Sequence, residues 1–471
     1  MTIIPTSIPV ERISVLNNRP VNQSGRFVLY WMDASLRQRH NSALEYAIAL
    51  GNAYKKSVVV LYCFSIDGRI NNYRRARFVL ESLSDLKNAL TNRGIQLVAM
   101  VGSAQKTVPT IARQAVAVVT DKGYLRQDTQ TRSFVAQRID CPLVEIEDNI
   151  IVPVETASPK QEYSARTFRP KVNGQLDRFL SLPKRDRPVV SSLNLDFLKL
   201  DLDHPDSIVR QMNFPYSVAE SSNFPGGELA AQAQWRRFLR YNLVRYDLRH
   251  NSSTRETSAL SPYLAFGCIS PIEIVLDLRQ RLQNLGADIP DGENDAAQMA
   301  ANAKLFQEEL VVRRELAVNF VWYNPLYDSF DGLPAWAQST LEVHAIDDRP
   351  DLYSFGALES GKTIDVYWNQ MQRELVREGW LPPHARMYWG KQPLLWTRDP
   401  AEAFDRVLTL NNRYELDGFS PGGFVGVGWC YGLHDLPFHE RPIWGYIRPM
   451  TPSGIVKSMK RGRKPKTVVL N

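Results

Sequence analysis

The chain is 471 residues long, 44% hydrophobic and 23% charged, with a formal net charge of +7 at pH 7. That length exceeds one ordinary domain and predicts two or three units with substantial cores. The basic balance favours an anionic partner, nucleic acid or an acidic membrane surface, without choosing between them.

The first residues, MTIIPTSIPVER, lack the basic region, apolar core and small-residue cleavage site of a signal peptide. No run of 18 apolar residues predicts a membrane span. Cys63, Cys141, Cys268 and Cys430 stand far apart, which argues against a disulfide scaffold or a structural zinc site and for a reducing interior. The expected location is cytoplasmic, with the nucleoid included in a bacterium.

The first 150 or so residues alternate strand and helix. RFVLYW (Arg26 to Trp31) predicts a strand, and a helix is predicted from about Ser35 to Tyr54 with Leu44, Ala47 and Ile48 on one side. SVVVLYCF (Ser57 to Phe64) is apolar enough for a central parallel strand covered on both faces. ARFVLESLSDLKNAL predicts a second helix and IQLVAMVG (Ile95 to Gly102) a third strand. Residues 105–116 repeat the helix, VAVVT (Val116 to Thr120) the strand, and PLVEIE closes the series. The expectation is an open parallel α/β sheet over 1–155 with crossover helices. No GxGxxG follows the first strand, so the usual dinucleotide fingerprint is absent.

Residues 156–225 are rich in proline without long periodicity and predict a connector. From 226 to 456 the pattern is mainly helical, beginning with GELAAQAQWRRFLRYNLVRYDLRH, where Leu229, Trp235, Phe238 and Leu239 form an expected apolar stripe. Similar periodicity runs from Ala296 to Asn319 and from Glu402 to Asn412. Nine of the ten tryptophans fall after residue 220. A large helical core accounts for any one of them; nine together also suit an aromatic cofactor, a base-stacking site or an electron relay. The tail 457–471 carries Lys457, Lys460, Arg461, Arg463, Lys464 and Lys466 without an acid, either solvated or contacting phosphate.

Three stretches carry chemistry. In TSALSPYLAFGCIS, Thr257, Ser258 and Ser261 could donate to a pyrophosphate, although taken alone such a pattern is more often an ordinary turn with a Ser270 cap before Pro271. In RMYWGKQPLLW, Trp389 and Trp396 are seven apart with Pro393 between them, which marks a helix start or a kink. In LNNRYELDGFSPGGFVGVGW, five glycines predict tight turns or a flexible loop, or a flat ligand approaching the main chain. Asp417 and Arg386 would make a natural buried ion pair.

These segments, in this order, resemble the class II cyclobutane pyrimidine dimer photolyases of the photolyase/cryptochrome family. The resemblance runs through GRFVLYWMDASLRQRHNSAL, EYSARTFRPK, LSPYLAFGCIS, NFVWYNPLYDSFDGLPAWA, GKTIDVYWNQMQREL, ARMYWGKQPLLW, LNNRYELDG and ERPIWGYIRPM. It implies a Rossmann-like antenna domain joined by the connector to an all-helical domain holding FAD. It also implies a reaction in which excited reduced FAD passes an electron to a dimer flipped out of UV-damaged DNA. No metal takes part. The resemblance leaves the α/β domain either binding a deazaflavin or a folate as antenna chromophore or empty, and no short motif identifies a ligand here. A monomer is expected.

Carried onto this chain, the resemblance makes Thr257, Ser258, Leu260 and Ser261 the phosphate-binding turn and adds Tyr246 to the cofactor side. Arg386 and Asp417 become the ion pair beside the flavin ring, and Asn411 the residue near flavin N5. Glu309 becomes the carboxyl that stabilises the dimer radical anion, best served by a pKa raised through burial. Met387 and Trp429 become dimer contacts, and Trp368, Trp389 and Trp396 the electron relay. Two departures touch the dimer pocket. Arg313-Arg314-Glu315 stands where the family has Trp-Lys-Glu, so Arg313 faces the substrate with a cation that stacks on a base or holds a phosphate. CYGLHD after Trp429 is one residue shorter than the family form. A photolyase-like blue-light receptor with weak or no repair is therefore the main rival, followed by a non-catalytic flavoprotein that binds DNA. Repair of the (6-4) photoproduct calls for an active-site histidine, which the matched residues lack.

Overall fold

The computed structural model describes residues 7–460 except 67, 222, 252–254 and 285–292. The basic residues from Arg461 onward therefore lie outside the described residues.

Six strands form one sheet in the order β1-β6-β5-β2-β3-β4. They are β1 (Ile13–Val15), β2 (Phe27–Met32), β3 (Ser57–Phe64), β4 (Gln96–Val101), β5 (Ala115–Asp121) and β6 (Leu143–Ile146). All pairings are parallel except β1 with β6. Every residue of β2 and β5 is buried, as their unbroken apolar runs require when helices cover both faces. The crossover helices are α1 (Ser42–Ala53), α2 (Tyr73–Thr91), α3 (Ala104–Ala112) and α4 (Arg126–Arg138). The strand order reverses between β2 and β5, where the side chain of Asp121 accepts from the Asp33 N–H and the Tyr30 hydroxyl.

The helix predicted from Ser35 starts only at Ser42, where the Asn41 side chain accepts from Leu44 N at 2.9 Å. Residues 35–41 are held out of a helix by Arg37. Its guanidinium is fully buried against Asp148 and donates to Gly267 O at 2.9 Å and Asn149 Oδ1 at 2.8 Å. A buried cation needs that set of partners, and a helix starting at Ser35 would give Arg37 a different direction.

After the proline-rich stretch, which contains the short helix Ala165–Asn173, the chain is helical. Glu228–Arg237 buries Glu228, Ala231, Gln232 and Trp235, so Leu229 points outward at 65% exposure and is not part of the expected stripe. Glu228 sets that rotation, since its carboxylate accepts from Gln38 N and Arg39 N at 3.0 Å each. The predicted helix across 296–319 is a long rod, Glu293–Gln307 and Arg314–Tyr323, joined by a widened π turn at Glu308–Arg313.

The largest change from expectation is the glycine-rich segment. Pro421–Cys430 is a helix capped by Ser420, whose hydroxyl accepts from Gly423 N at 3.2 Å. A Cβ on Gly423 would collide with the Gly418 carbonyl. This glycine serves close approach of two backbones and gives the chain no loop there.

One apolar core runs from one face of the sheet into the helices as far as Leu316, with Trp380 and Leu416. A second gathers mainly residues from Ala317 to Ile455 around Trp368 and Trp389, with Tyr124, Leu125, Ile150 and Val154. A third lies on the sheet's other face. Glu315 stitches the seam: fully enclosed, it accepts from Ile151 N at 2.6 Å and Val152 N at 3.3 Å. Burial pushes its carboxyl up to about 7. Among the described residues no helix is long and apolar enough to cross a membrane.

Candidate functional site

The helix Pro383–Lys391 is the hub of the site. Pro383 opens it without losing a needed N–H. It packs against Leu243–His250, Val366–Glu378 and Pro421–Cys430. With about 100° between successive residues, its side chains reach different neighbours. Arg386 meets the 415–417 turn, the Tyr388 hydroxyl donates to Asp365, and Trp389 meets Trp368. Beyond Lys391 the chain tightens into a 3-10 turn, Gln392–Trp396, which Pro393 opens.

Arg386 and Asp417 do pair, with Nη2 3.0 Å from Asp417 Oδ1. A third member was not anticipated. Glu415, fully buried, takes the same Nη2 at 2.5 Å through Oε2. Two carboxyl groups share one cation, and their pKa values move in opposite directions. Burial pushes Glu415 well above the ordinary glutamate range, against the pull of Arg386. Burial pushes Asp417 up too, but Arg386 and a hydrogen bond from Ser261 outweigh it and hold Asp417 below its ordinary value. Sequence alone offers only the i, i+2 acids in YELDG as a signal for this triad.

Ser261 also accepts from the Trp380 indole at 3.2 Å, so the hydroxyl turn abuts the charge cluster. Leu260 is buried, its N–H donating to Ser258 Oγ at 3.4 Å. Ala259 holds a left-handed φ of 51°, a locally strained backbone within the hydroxyl turn. Three buried polar atoms here have no partner among the described residues: Thr257 Oγ1, Arg386 Nε and Glu415 Oε1. Buried polar atoms are normally satisfied, so this group fits a polar ligand such as a flavin nucleotide. Asn411 is 1% exposed on the helix Pro400–Tyr414, its amide donating to Gly418 O at 3.2 Å.

The three relay candidates come together. Trp368 and Trp389 stack at 6.5 Å with 4° between planes, and Trp396 meets Trp368 edge-on at 5.3 Å. All three are buried. Indole N–H groups are satisfied at Trp389 O and Gln372 Oε1, both at 2.8 Å. Tyr353, partly exposed, stands edge-on to Trp396 at 5.7 Å and extends the row toward the surface. It lies outside the predicted helices, which is why periodicity did not find it.

On another side, Tyr246 packs in an aromatic cluster with Phe238 and Phe306, under the Arg249 guanidinium at 5.1 Å. Arg249 Nη2 lies 4.0 Å from Glu309 Oε1. Crowding pushes Glu309 above the ordinary glutamate range, with Arg249 and Arg313 pulling it down. Its side chain is still 41% exposed, so solvent tempers that rise. The π turn carries both Glu309 and Arg313, and such widened turns gather at functional sites. Arg313 lies 5.4 Å over the Trp429 ring, and its Nε is 3.6 Å from Glu308, which also binds Arg169 through two bonds. Met387 is partly exposed, its carbonyl accepting from the Cys430 thiol at 3.8 Å. Arg314 and Glu315, by contrast, turn away to the domain seam, where Arg314 donates to Asn149 O at 2.7 Å.

A family model described as DNA photolyase matches residues 28–189. The chain is 41% identical over 455 residues to a deoxyribodipyrimidine photo-lyase of Methanothermobacter thermautotrophicus, covering 96% of this chain and 97% of that one. It is 34% identical over 463 residues to a protein of the same name from Arabidopsis thaliana, covering 95% and 90%. A class III photolyase from Agrobacterium tumefaciens shares the fold with a TM-score of 0.69 at 19% identity, covering 93% of this chain and 84% of that chain.

Proposed function

This chain belongs to the DNA photolyase family, and from that premise we propose that it acts as a class II member on cyclobutane pyrimidine dimers through the residues gathered around Pro383–Lys391. It is a light-driven lyase of dimer repair. The family implies FAD, and bound reduced FAD supplies, on absorbing light, the electron that opens the dimer.

What this chain's own residues contribute follows from their chemistry. Thr257 and Ser258 offer hydroxyls to a pyrophosphate, while Ser261, bonded to Asp417 and Trp380, and Leu260, whose N–H goes to Ser258 Oγ, shape the turn that presents them. Tyr246 walls the cofactor with a ring. Arg386 keeps a fixed cation on the ring edge, oriented by Asp417 and Glu415, and Asn411 presents an amide on the buried helix face beside it. Glu309, with its raised pKa, donates a hydrogen bond to a dimer carbonyl and holds charge that develops there. Met387 and Trp429 offer apolar surface to the bases. Arg313, already over Trp429, carries a positive charge to the lesion or its phosphate. Trp396, Trp368 and Trp389 conduct electrons inward to keep the cofactor reduced.

The single observation that carries this reading is the convergence of the Arg386–Asp417 pair and the Trp389–Trp368 stack on one helix. A damaged DNA partner, a monomeric state, a cytoplasmic location and a deazaflavin or folate in the α/β domain complete the proposal. The Arg313–Trp429 contact favours one second reading, a blue-light receptor whose pocket rejects the dimer. Light-dependent restoration of thymines in a dimer-containing oligonucleotide separates the two.

A further inference from the structure

The N-terminus of α2 reaches out of the α/β domain into the flavin site. Its cap, Asn72, donates to Arg413 O at 3.0 Å. Arg74 follows, and all five of its N–H groups go to main-chain carbonyls: Nε to Ala219 at 2.9 Å, Nη1 to Tyr414 at 2.7 Å and Leu375 at 3.5 Å, Nη2 to Val376 at 2.5 Å and Arg377 at 3.1 Å. All but Ala219 lie in the last turns of the helices that carry Asn411 and Trp368. A cation at helix C-termini is a favourable partner for the exposed carbonyl dipoles. Gly379 makes room for it, since a Cβ there would stand 2.8 Å from Arg74 Cδ.

Arg75 is different. It is fully buried, yet it makes one bond to a carbonyl, Glu415 O at 2.5 Å, and one to Asn71 Oδ1 at 3.1 Å, and its Nε has no partner. A Cβ on Gly418 would lie 3.1 Å from Arg75 Nη2. Helix capping does not account for a cation so deeply enclosed, because burying a charge without a counter-charge is strongly unfavourable. Asp417 is the strongest attraction offsetting its burial. Asp417 in turn is bonded to Arg386.

We propose that Arg75 is a positioning residue of the flavin site: reaching from the α/β domain, it holds the Glu415–Gly418 turn and, through Asp417, sets the charge that Arg386 presents to the cofactor. This rests on the reading that FAD binds beside Arg386. Arg75 brings a second buried cation to the turn whose Glu415 and Asp417 side chains hold Arg386. That added cation favours an anionic reduced flavin over the neutral oxidised one.

The test uses the flavin-bound full chain, equilibrated anaerobically with a redox dye of known potential, with the flavin spectrum giving the reduced-to-oxidised ratio. Arg75→Met and Arg75→Gln are expected to lower that ratio by about tenfold while retaining flavin. Arg75→Lys restores most of it, and Arg77→Met, on the outer face of the same helix, leaves it unchanged. Gln keeps a donor for Glu415 O without the charge and decides the matter if the Met variant does not fold. An unchanged ratio in flavin-retaining Gln or Met variants, with only a lower melting temperature, overturns the proposal. So does loss of flavin from the Gln and Lys variants alike, which marks a merely structural role. A wild-type protein that binds no flavin defeats the underlying reading instead.

Discussion

The indole rings of Trp368 and Trp389 lie parallel, 6.5 Å apart with 4° between their planes, and the Trp368 N–H donates to the Trp389 carbonyl at 2.8 Å. Stacking within one hydrogen-bonded unit keeps both rings in a single geometry, as an electron relay requires. Trp368→Phe and Trp389→Phe are each expected to slow photoreduction of oxidised flavin by about tenfold or more. Repair by chemically reduced enzyme stays near wild type. Flavin absorbance under illumination with a reductant, set beside repair yield, makes the comparison. Equal losses in both assays would contradict the relay.

Glu309 has a pKa above the ordinary glutamate range, raised first by burial and opposed by Arg249 and Arg313. The neutral acid, a hydrogen-bond donor, therefore survives to higher pH than an exposed glutamate allows. If that form serves repair, the yield per absorbed photon falls as pH rises through the elevated pKa. Glu309→Gln keeps a neutral donor and gives a flat profile, and Glu309→Ala loses about tenfold to a hundredfold. A wild-type yield that rises with pH across the same range would exclude this role.

Arg313 sets a cation 5.4 Å over the Trp429 ring. Arg313→Ala is expected to weaken binding of dimer-containing DNA, and the slope of log affinity against log salt to shrink by about 0.9, the release of one counterion. Arg313→Trp loses the same salt dependence but keeps lesion affinity. Binding isotherms across a salt series decide it, and an unchanged slope in both variants means Arg313 touches no phosphate.

Glu315 ties the helical rod to the exit of the α/β domain and has a pKa of about 7. Its folded-state pKa is raised, so the folded chain holds the proton more tightly than the unfolded chain. Stability is full below the ordinary glutamate value and is lost as pH rises through about 7, by up to about 3 kcal/mol. Glu315→Gln removes this decline and costs about 1 kcal/mol at low pH, where one of its two backbone partners loses an acceptor. Melting temperatures from about pH 5 to 8 test the sign; a wild-type curve that climbs over that interval contradicts it.

The parallel sheet was legible because its strands are unbroken apolar runs, such as Ser57–Phe64, which reads the same in sequence and structure. The three-residue β1 was too short to show a period, and its antiparallel pairing with β6 comes from tertiary contact. The start of α1 was misplaced because Arg37 looks like a surface residue until Asp148, 111 positions away, encloses it. Glycines in Pro421–Cys430 looked like a loop because composition does not distinguish turning from close packing. In the site, Arg386 and Asp417 could be named as a pair, whereas Glu415 and Arg75 could not. Their roles depend on burial and on a contact between two domains, and neither leaves a period or motif in the chain.

The most direct test of dimer repair takes anaerobically reduced, flavin-bound protein, an oligonucleotide with one thymine cyclobutane dimer, and blue light against a dark control. Intact thymines are expected to be restored only in the light, over several turnovers, with the flavin reduced at the end. Tight lesion binding by fully reduced protein with no thymine restored would contradict dimer repair and move the receptor reading into first place.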